Sequence, residues 1–114
     1  IAALSDGKVK LENVVAPLSF DDLRLTFEKP DTKRFPLLAL AYKALEIGGS
    51  ATIAYNAADE VAVNAFMEGT IPYSRISEIV EKTLLNETFT DKVGNYKETM
   101  EKDRIAREIA RSAI

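Results

Sequence analysis

The 114 residues suit a single domain, and 46% hydrophobic with 29% charged side chains is the balance of an ordinary globular chain. Acidic residues exceed basic ones by three, which argues against a nucleic-acid partner. Cys and His are both absent, which excludes disulfides, thiolate nucleophiles, sulfur metal sites and imidazole proton transfer.

No apolar run approaches the ~20 residues that cross a bilayer, so no membrane partner is expected. Ile1-Ala2-Ala3-Leu4 runs straight into Ser5-Asp6-Gly7, unlike a signal peptide. The chain begins with Ile rather than Met, and a piece of a longer protein or a processed form is expected. Lack of Cys fits a cytoplasmic location.

The first 34 residues are mixed and turn-rich. Lys8-Val9-Lys10-Leu11 alternates polar and apolar side chains as a half-buried strand does, after the turn signal Asp6-Gly7. Ser19-Phe20-Asp21-Asp22 has room only for a short turn. Leu23-Arg24-Leu25-Thr26-Phe27-Glu28 alternates more clearly and predicts a second strand, broken by Pro30-Asp31. Two short strands are marginal alone, so they must lean on helices or pair with something else.

From residue 35 onward the pattern is helical. A first helix is predicted from Pro36 to Ile47, with Pro at its first position and Gly48-Gly49 to end it. A second follows from an N-cap at Ser50 to Gly69. It is apolar around most of its circumference, so it should be central and most buried, with alanines that admit close neighbours. A third starts near Ser74, with Ile76, Ile79, Val80, Thr83 and Leu84 on one face. Residues 86–95 form a polar connection. The fourth runs from Tyr96 to the end, with a stripe of Ile105, Ala106, Ile109, Ala110 and Ala113 and with favourable Glu98–Lys102 and Asp103–Arg107 pairs. The fold class is therefore mainly α: a four-helix bundle-like domain over 35–114, preceded by a linker with short β-strand segments over 1–34.

Candidate chemistry is sparse. Asn56, Glu60 and Asn64 share a face of the second helix, with Asp59 beside them. Two adjacent carboxylates could hold a divalent metal or act as acid and base. The di-metal bundle pattern needs His, however, and the favoured reading is that these groups satisfy polarity within the bundle. Gly48-Gly49-Ser50 resembles a weak anion site but lacks the preceding strand and following Lys of a phosphate loop, and reads as a loop and cap. Arg104, Arg107 and Arg111 make a basic stripe that could dock an acidic partner, although a solvated face complementing the helix dipole accounts for it. Tyr42, Tyr55, Phe66, Tyr73 and Tyr96 could line a pocket, but aromatics at helical spacing are more often core.

Three stretches together carry a resemblance: Phe27-Glu28-Lys29-Pro30-Asp31 with Arg34-Phe35-Pro36; Leu40-Ala41-Tyr42-Lys43-Ala44-Leu45 with Gly48-Gly49; and Asn56-Ala57-Ala58-Asp59-Glu60-Val61-Ala62-Val63 with Ala65-Phe66 and Gly69-Thr70-Ile71-Pro72. In order and spacing they resemble the C-terminal third of the 1-deoxy-D-xylulose 5-phosphate reductoisomerase family. Ala16-Pro17-Leu18-Ser19-Phe20 and Leu25-Thr26-Phe27 fit the preceding segment, and the likeness loosens after about residue 86. The family commonly has Asn where Asp59 stands, an exchange that keeps size and adds a charge.

The resemblance implies a parent enzyme that isomerises and reduces 1-deoxy-D-xylulose 5-phosphate to 2-C-methyl-D-erythritol 4-phosphate with NADPH and Mg or Mn, as a homodimer. It places the nucleotide-binding and catalytic domains before this stretch. No catalytic, cofactor-binding or metal residue is then expected here, no cofactor is expected to bind this piece, and its partners are those other domains of the same chain. Two further readings compete: a free-standing helical module that binds a partner protein, and a small metalloenzyme using Asp59 and Glu60.

Overall fold

The computed structural model describes Lys8, residues 19–21 and residues 23–114. Four helices follow one another: α1 (Pro36–Ile47), α2 (Ser50–Met67), α3 (Arg75–Leu84) and α4 (Tyr96–Ser112), with a 3-10 turn at Glu87–Phe89 before α4. The mainly helical, four-helix architecture is the one predicted.

No strand occurs among the described residues, which corrects the expectation for Leu23–Glu28. Alternation alone cannot make a ladder. The segment touches no second strand among the described residues, and its apolar members stay in solvent. Val9, Lys10 and Leu11 lie outside the described residues, and the first expected strand with them. Around Ser19 the expected turn is present: Leu23 N–H donates to the Phe20 carbonyl at 3.3 Å.

Asp31 winds the chain into α1. Its Oδ1 accepts the N–H groups of Lys33 and Arg34, each at 3.0 Å, and its carbonyl accepts from Phe35. Pro36 then starts the helix without an orphaned donor. Gly48, at φ 72°, ends it, its N–H returning to Ala44. Helix α2 closes with a Schellman motif: Gly69, at φ 74°, donates to Phe66 and Thr70 donates to Ala65. Asn95 caps α4 by accepting the Glu98 N–H at 3.0 Å, while Glu98 reaches back to the Gly94 N–H at 2.8 Å.

Helix α2 is the centre, with α1, α3 and α4 packed around it. Its buried face is almost all methyl groups: Ala51, Ala54, Ala57, Ala58, Ala62 and Ala65, with Val61. From α3 the five residues named by periodicity, Ile76, Ile79, Val80, Thr83 and Leu84, are those that are buried. Thr83 satisfies its hydroxyl on the Ile79 carbonyl at 2.9 Å. A second, smaller cluster gathers Ala54, Ala57 and Ala106 around Phe89, with Ile105 and Ile109 against it. Arg75 of α3 clamps the far end of α4, donating to the Ala113 carbonyl at 2.8 Å.

Candidate functional site

The polar stripe of α2 meets α4 in a connected set of charges. Asn56 Nδ2 donates to Glu60 Oε1 at 3.2 Å. Glu60 Oε2 accepts from Arg107 Nη2 at 2.8 Å. The same guanidinium grips Asp103 with two bonds, Nε to Oδ2 at 2.7 Å and Nη2 to Oδ1 at 3.1 Å. Arg107 thus bridges a carboxylate from each helix. The Arg107 bond holds the Glu60 carboxyl below the usual range, with the Arg107 charge and Asn56 helping, and Asp103 and Glu60 push the guanidinium pKa up. This is a crosslink built around a bidentate ion pair. The Asp103–Arg107 pair expected from spacing is present.

Asp59 does not join this set. One residue before Glu60 on the helix, it projects about a hundred degrees away and sits half-buried. Among the described residues it has no ion pair or hydrogen bond. Burial raises its pKa, and the Glu60 charge adds to the rise. The Tyr55 hydroxyl is likewise raised by burial and by Asp59, and donates to the Leu37 carbonyl on α1 at 3.1 Å. The two neighbouring carboxylates are therefore displaced in opposite directions. Asn64 stands apart, exposed at the rim of a shallow groove shared with Glu68, Arg107 and Arg111.

The displacement has a measurable sign. A carboxyl whose folded pKa is raised favours the fold when protonated, so its contribution is lost as pH rises through the folded pKa. Asp59→Asn should accordingly raise the melting temperature at pH 7. That gain should shrink as pH falls through the raised folded pKa toward the ordinary carboxylate value. Melting curves at pH 7 and pH 4 check it, and an equal shift at both would show that the charge is not the cause.

The glycine loop is sealed by its own chain. Ser50 N–H donates to the Asp91 carbonyl at 2.9 Å, and Ala51 N–H to Gly48 at 3.1 Å, so these donors are not open to an anion. The N-cap is Gly49 and not Ser50, a correction to the expected boundary. The Ser50 hydroxyl is fully buried and has no hydrogen-bond partner among the described residues. Gly49, at φ 52°, passes so close to the 91–92 backbone that an added Cβ would stand 2.3 Å from the Asp91 carbonyl oxygen.

The basic stripe is largely neutralised. Arg104 bonds Glu101 at 2.7 Å and also Glu108, and these carboxylates raise its pKa. Arg107 is held as above, and Arg111 has no ion pair among the described residues. The expected Glu98–Lys102 pair does not form. Glu98 is committed to the α4 cap, and Lys102 instead reaches the Thr88 carbonyl at 2.7 Å and Asp91 at 3.0 Å.

The aromatic residues are mostly neither core nor pocket. Tyr42, Tyr73 and Tyr96 are exposed, and Phe66 stacks edge-on against Tyr73 at 5.6 Å. A cleft of about 300 Å³ opens between residues 33–37 and Tyr73–Ser77, with Lys33 and Arg34 beside the hydroxyls of Ser74 and Ser77. Its walls are distant in sequence, so no local pattern announced it. Among the described residues no three His, Cys, Asp or Glu side chains converge as metal ligands do. None of the described helices is long and apolar enough to cross a membrane.

The chain matches the family model described as the DXP reductoisomerase C-terminal domain over residues 2–109. It is 46% identical to the 1-deoxy-D-xylulose 5-phosphate reductoisomerase of Trichlorobacter lovleyi over 98 residues, 85% of this chain and 25% of that protein. The enzyme of Desulforamulus reducens is 46% identical over 103 residues, 90% of this chain and 26% of that protein. Among solved structures, a DOX-P reductoisomerase in complex with NADPH, fosmidomycin and magnesium superposes with a TM-score of 0.84 at 31% identity, covering 98% of this chain and 30% of that one. The chain spans about a quarter of the length of the curated relatives it matches. A family match across nearly every residue, joined to the same helical architecture, shows that the chain belongs to the DXP reductoisomerase C-terminal domain family.

Proposed function

We propose that this chain serves as the C-terminal helical domain of a reductoisomerase that converts 1-deoxy-D-xylulose 5-phosphate to 2-C-methyl-D-erythritol 4-phosphate, an early step of isoprenoid precursor synthesis. The observation that carries the reading is the family match over residues 2–109, supported by relatives that bear this activity in their names. NADPH and Mg or Mn serve the whole enzyme, which works as a cytoplasmic homodimer. A solved relative holds NADPH and magnesium.

The domain's own task is structural. Residues 1–34 act as linker and lead-in, and residues 35–114 as a bundle that packs on the catalytic domain and limits inter-domain motion. The described residues do not fit a metal or dinucleotide. The Glu60 and Asp103 carboxylates are engaged by Arg107, and the loop before α2 is closed by the Asp91 carbonyl. No catalytic, cofactor-binding or metal-ligating role is assigned to any residue here. A buttress acts through positioning, and small misplacements of reacting groups cost on the order of 10²-fold in rate.

A chimaera tests the reading. The C-terminal quarter of the Desulforamulus reducens enzyme is replaced by this chain, and substrate-dependent NADPH oxidation is followed. Truncation of that quarter should lower kcat/KM by about 10²-fold or more. The chimaera should recover most of the loss, and the 114-residue chain alone should show no turnover. Turnover by the chain alone, or a chimaera no better than the truncation, refutes the proposal.

A further inference from the structure

Between α3 and α4 the chain passes over the N-terminal half of α2 as a strap, residues 86–93. Phe89 is its one buried residue. The ring sits in the small cluster with Ala54, Ala57 and Ala106. The larger core, which joins α1, α2, α3 and the end of α4, includes no strap residue. Lifting the strap therefore empties the small cluster and leaves the larger one closed.

The strap has few other fastenings. Ser50 N–H of α2 donates to the Asp91 carbonyl at 2.9 Å. Lys102 Nζ of α4 donates to the Thr88 carbonyl at 2.7 Å and to Asp91 Oδ2 at 3.0 Å. Among the described residues no other hydrogen bond joins residues 86–93 to α1, α2 or α4. The two contacts of Lys102 are unequal. The Asp91 side chain is 69% exposed, and an ion pair in solvent counts for little. The Thr88 bond is partly buried, and a charged donor makes a strong hydrogen bond there. The closed strap also has a cost on the α2 side, where the Ser50 hydroxyl is fully buried without a partner among the described residues.

We propose that residues 86–93 open and close as one unit, latched by the Lys102 ammonium on the Thr88 carbonyl, over a body of α1, α2 and α3 that stays folded. The inference rests on contacts within this chain and not on the reductoisomerase reading. The open form is scarce, because it gives up the burial of Phe89. It frees the first N–H of α2 and lets water reach the Ser50 hydroxyl. Local opening of this kind exposes much less surface than unfolding of the whole chain.

Hydrogen exchange of the purified chain in a series of low urea concentrations, read by NMR, tests the proposal. The Ser50 and Phe89 amides lie 39 positions apart in sequence, yet both are released when the strap lifts. They should share one opening equilibrium and one shallow urea dependence, since the slope scales with the surface exposed. The Val80 and Leu84 amides of α3 should be protected further and show the steep slope of global unfolding. Lys102→Met should speed exchange at Ser50 and Phe89 by the same factor, roughly 10- to 100-fold, as expected when a charged donor is lost from a carbonyl. Asp91→Asn keeps the backbone carbonyl and the ammonium, and should change both by less than about fivefold. Unchanged helix content by circular dichroism confirms that each variant folds. Different equilibria for Ser50 and Phe89 in the wild-type chain overturn the proposal, because the two ends of the strap then move separately. A steep slope at both residues also overturns it, since the strap then opens only with the whole chain. So does a Lys102→Met variant that accelerates neither amide, or one that Asp91→Asn matches.

Discussion

Phe89→Ala should lower the unfolding free energy by about 3–5 kcal/mol, a large part of the 5–15 kcal/mol on the order of which small domains are stable. The ring is 1% exposed and is the largest fully buried side chain among the described residues. It fills a hole bounded by Ala54 and Ala57 of α2 and Ala106 of α4. The three buried neighbours are methyl groups fixed to helical backbone, so only Ile105 and Ile109, packed against the cluster, can move toward the vacated space. The cavity should therefore collapse only in part, which keeps the cost within that range. Denaturant titration gives the free energy directly. A loss below ~1 kcal/mol would mean that the 3-10 turn carrying Phe89 is not part of the cooperative fold.

Gly49→Ala should cost about 2–3 kcal/mol, from two sources. A Cβ at φ 52° is strained wherever it sits, and here it would also stand 2.3 Å from the Asp91 carbonyl oxygen. Relief requires moving the Asp91 peptide, which the Ser50 N–H and, through the side chain, Lys102 hold in place. Gly69→Ala is the matched control. Its φ is 74°, yet nothing lies within 4 Å of an added Cβ. It should pay only the conformational term, about 1–2 kcal/mol. Thermal melts of the two variants separate close approach from backbone strain, and equal losses would remove the close approach from the account.

Much of the bundle was legible because helices write their periodicity locally. Pro36 and Gly48 bracket α1 at the predicted residues, and the buried set of α3 is the one its spacing names. The central place of α2 followed from its alanines. What escaped depends on contacts between residues far apart in sequence. Phe89 lies in a polar connection whose composition reads as solvated loop, and only the space between α2 and α4 makes it core. Lys102 had a carboxylate at ideal spacing, yet that carboxylate serves the α4 cap, a competition invisible to pairwise counting. Leu23–Glu28 shows the converse error, in which a strand pattern meets no partner among the described residues.

The candidate site was legible in parts. The polar stripe on α2 named Asn56 and Glu60, and the basic stripe on α4 named Arg107, but nothing local said that the two stripes meet. Asp59 was grouped with Glu60 by adjacency, although successive residues on a helix diverge by about a hundred degrees. The tyrosines were read as core because aromatic area is usually buried. Three of them stand in solvent.

Alanine has no rotamers to lose, so the methyl face of α2 orders on folding without the side-chain entropy that leucine or methionine in its place would forfeit, about 0.5–2 kcal/mol each. The same shortness removes any slack. Added volume at Ala54, Ala57, Ala58 or Ala62 has nowhere to go, and over-packing of this kind costs about 1–3 kcal/mol per site. Sequence drift in such a domain is steered outward to its surfaces and loops, while the axis of the bundle stays confined to the smallest residue that still favours a helix.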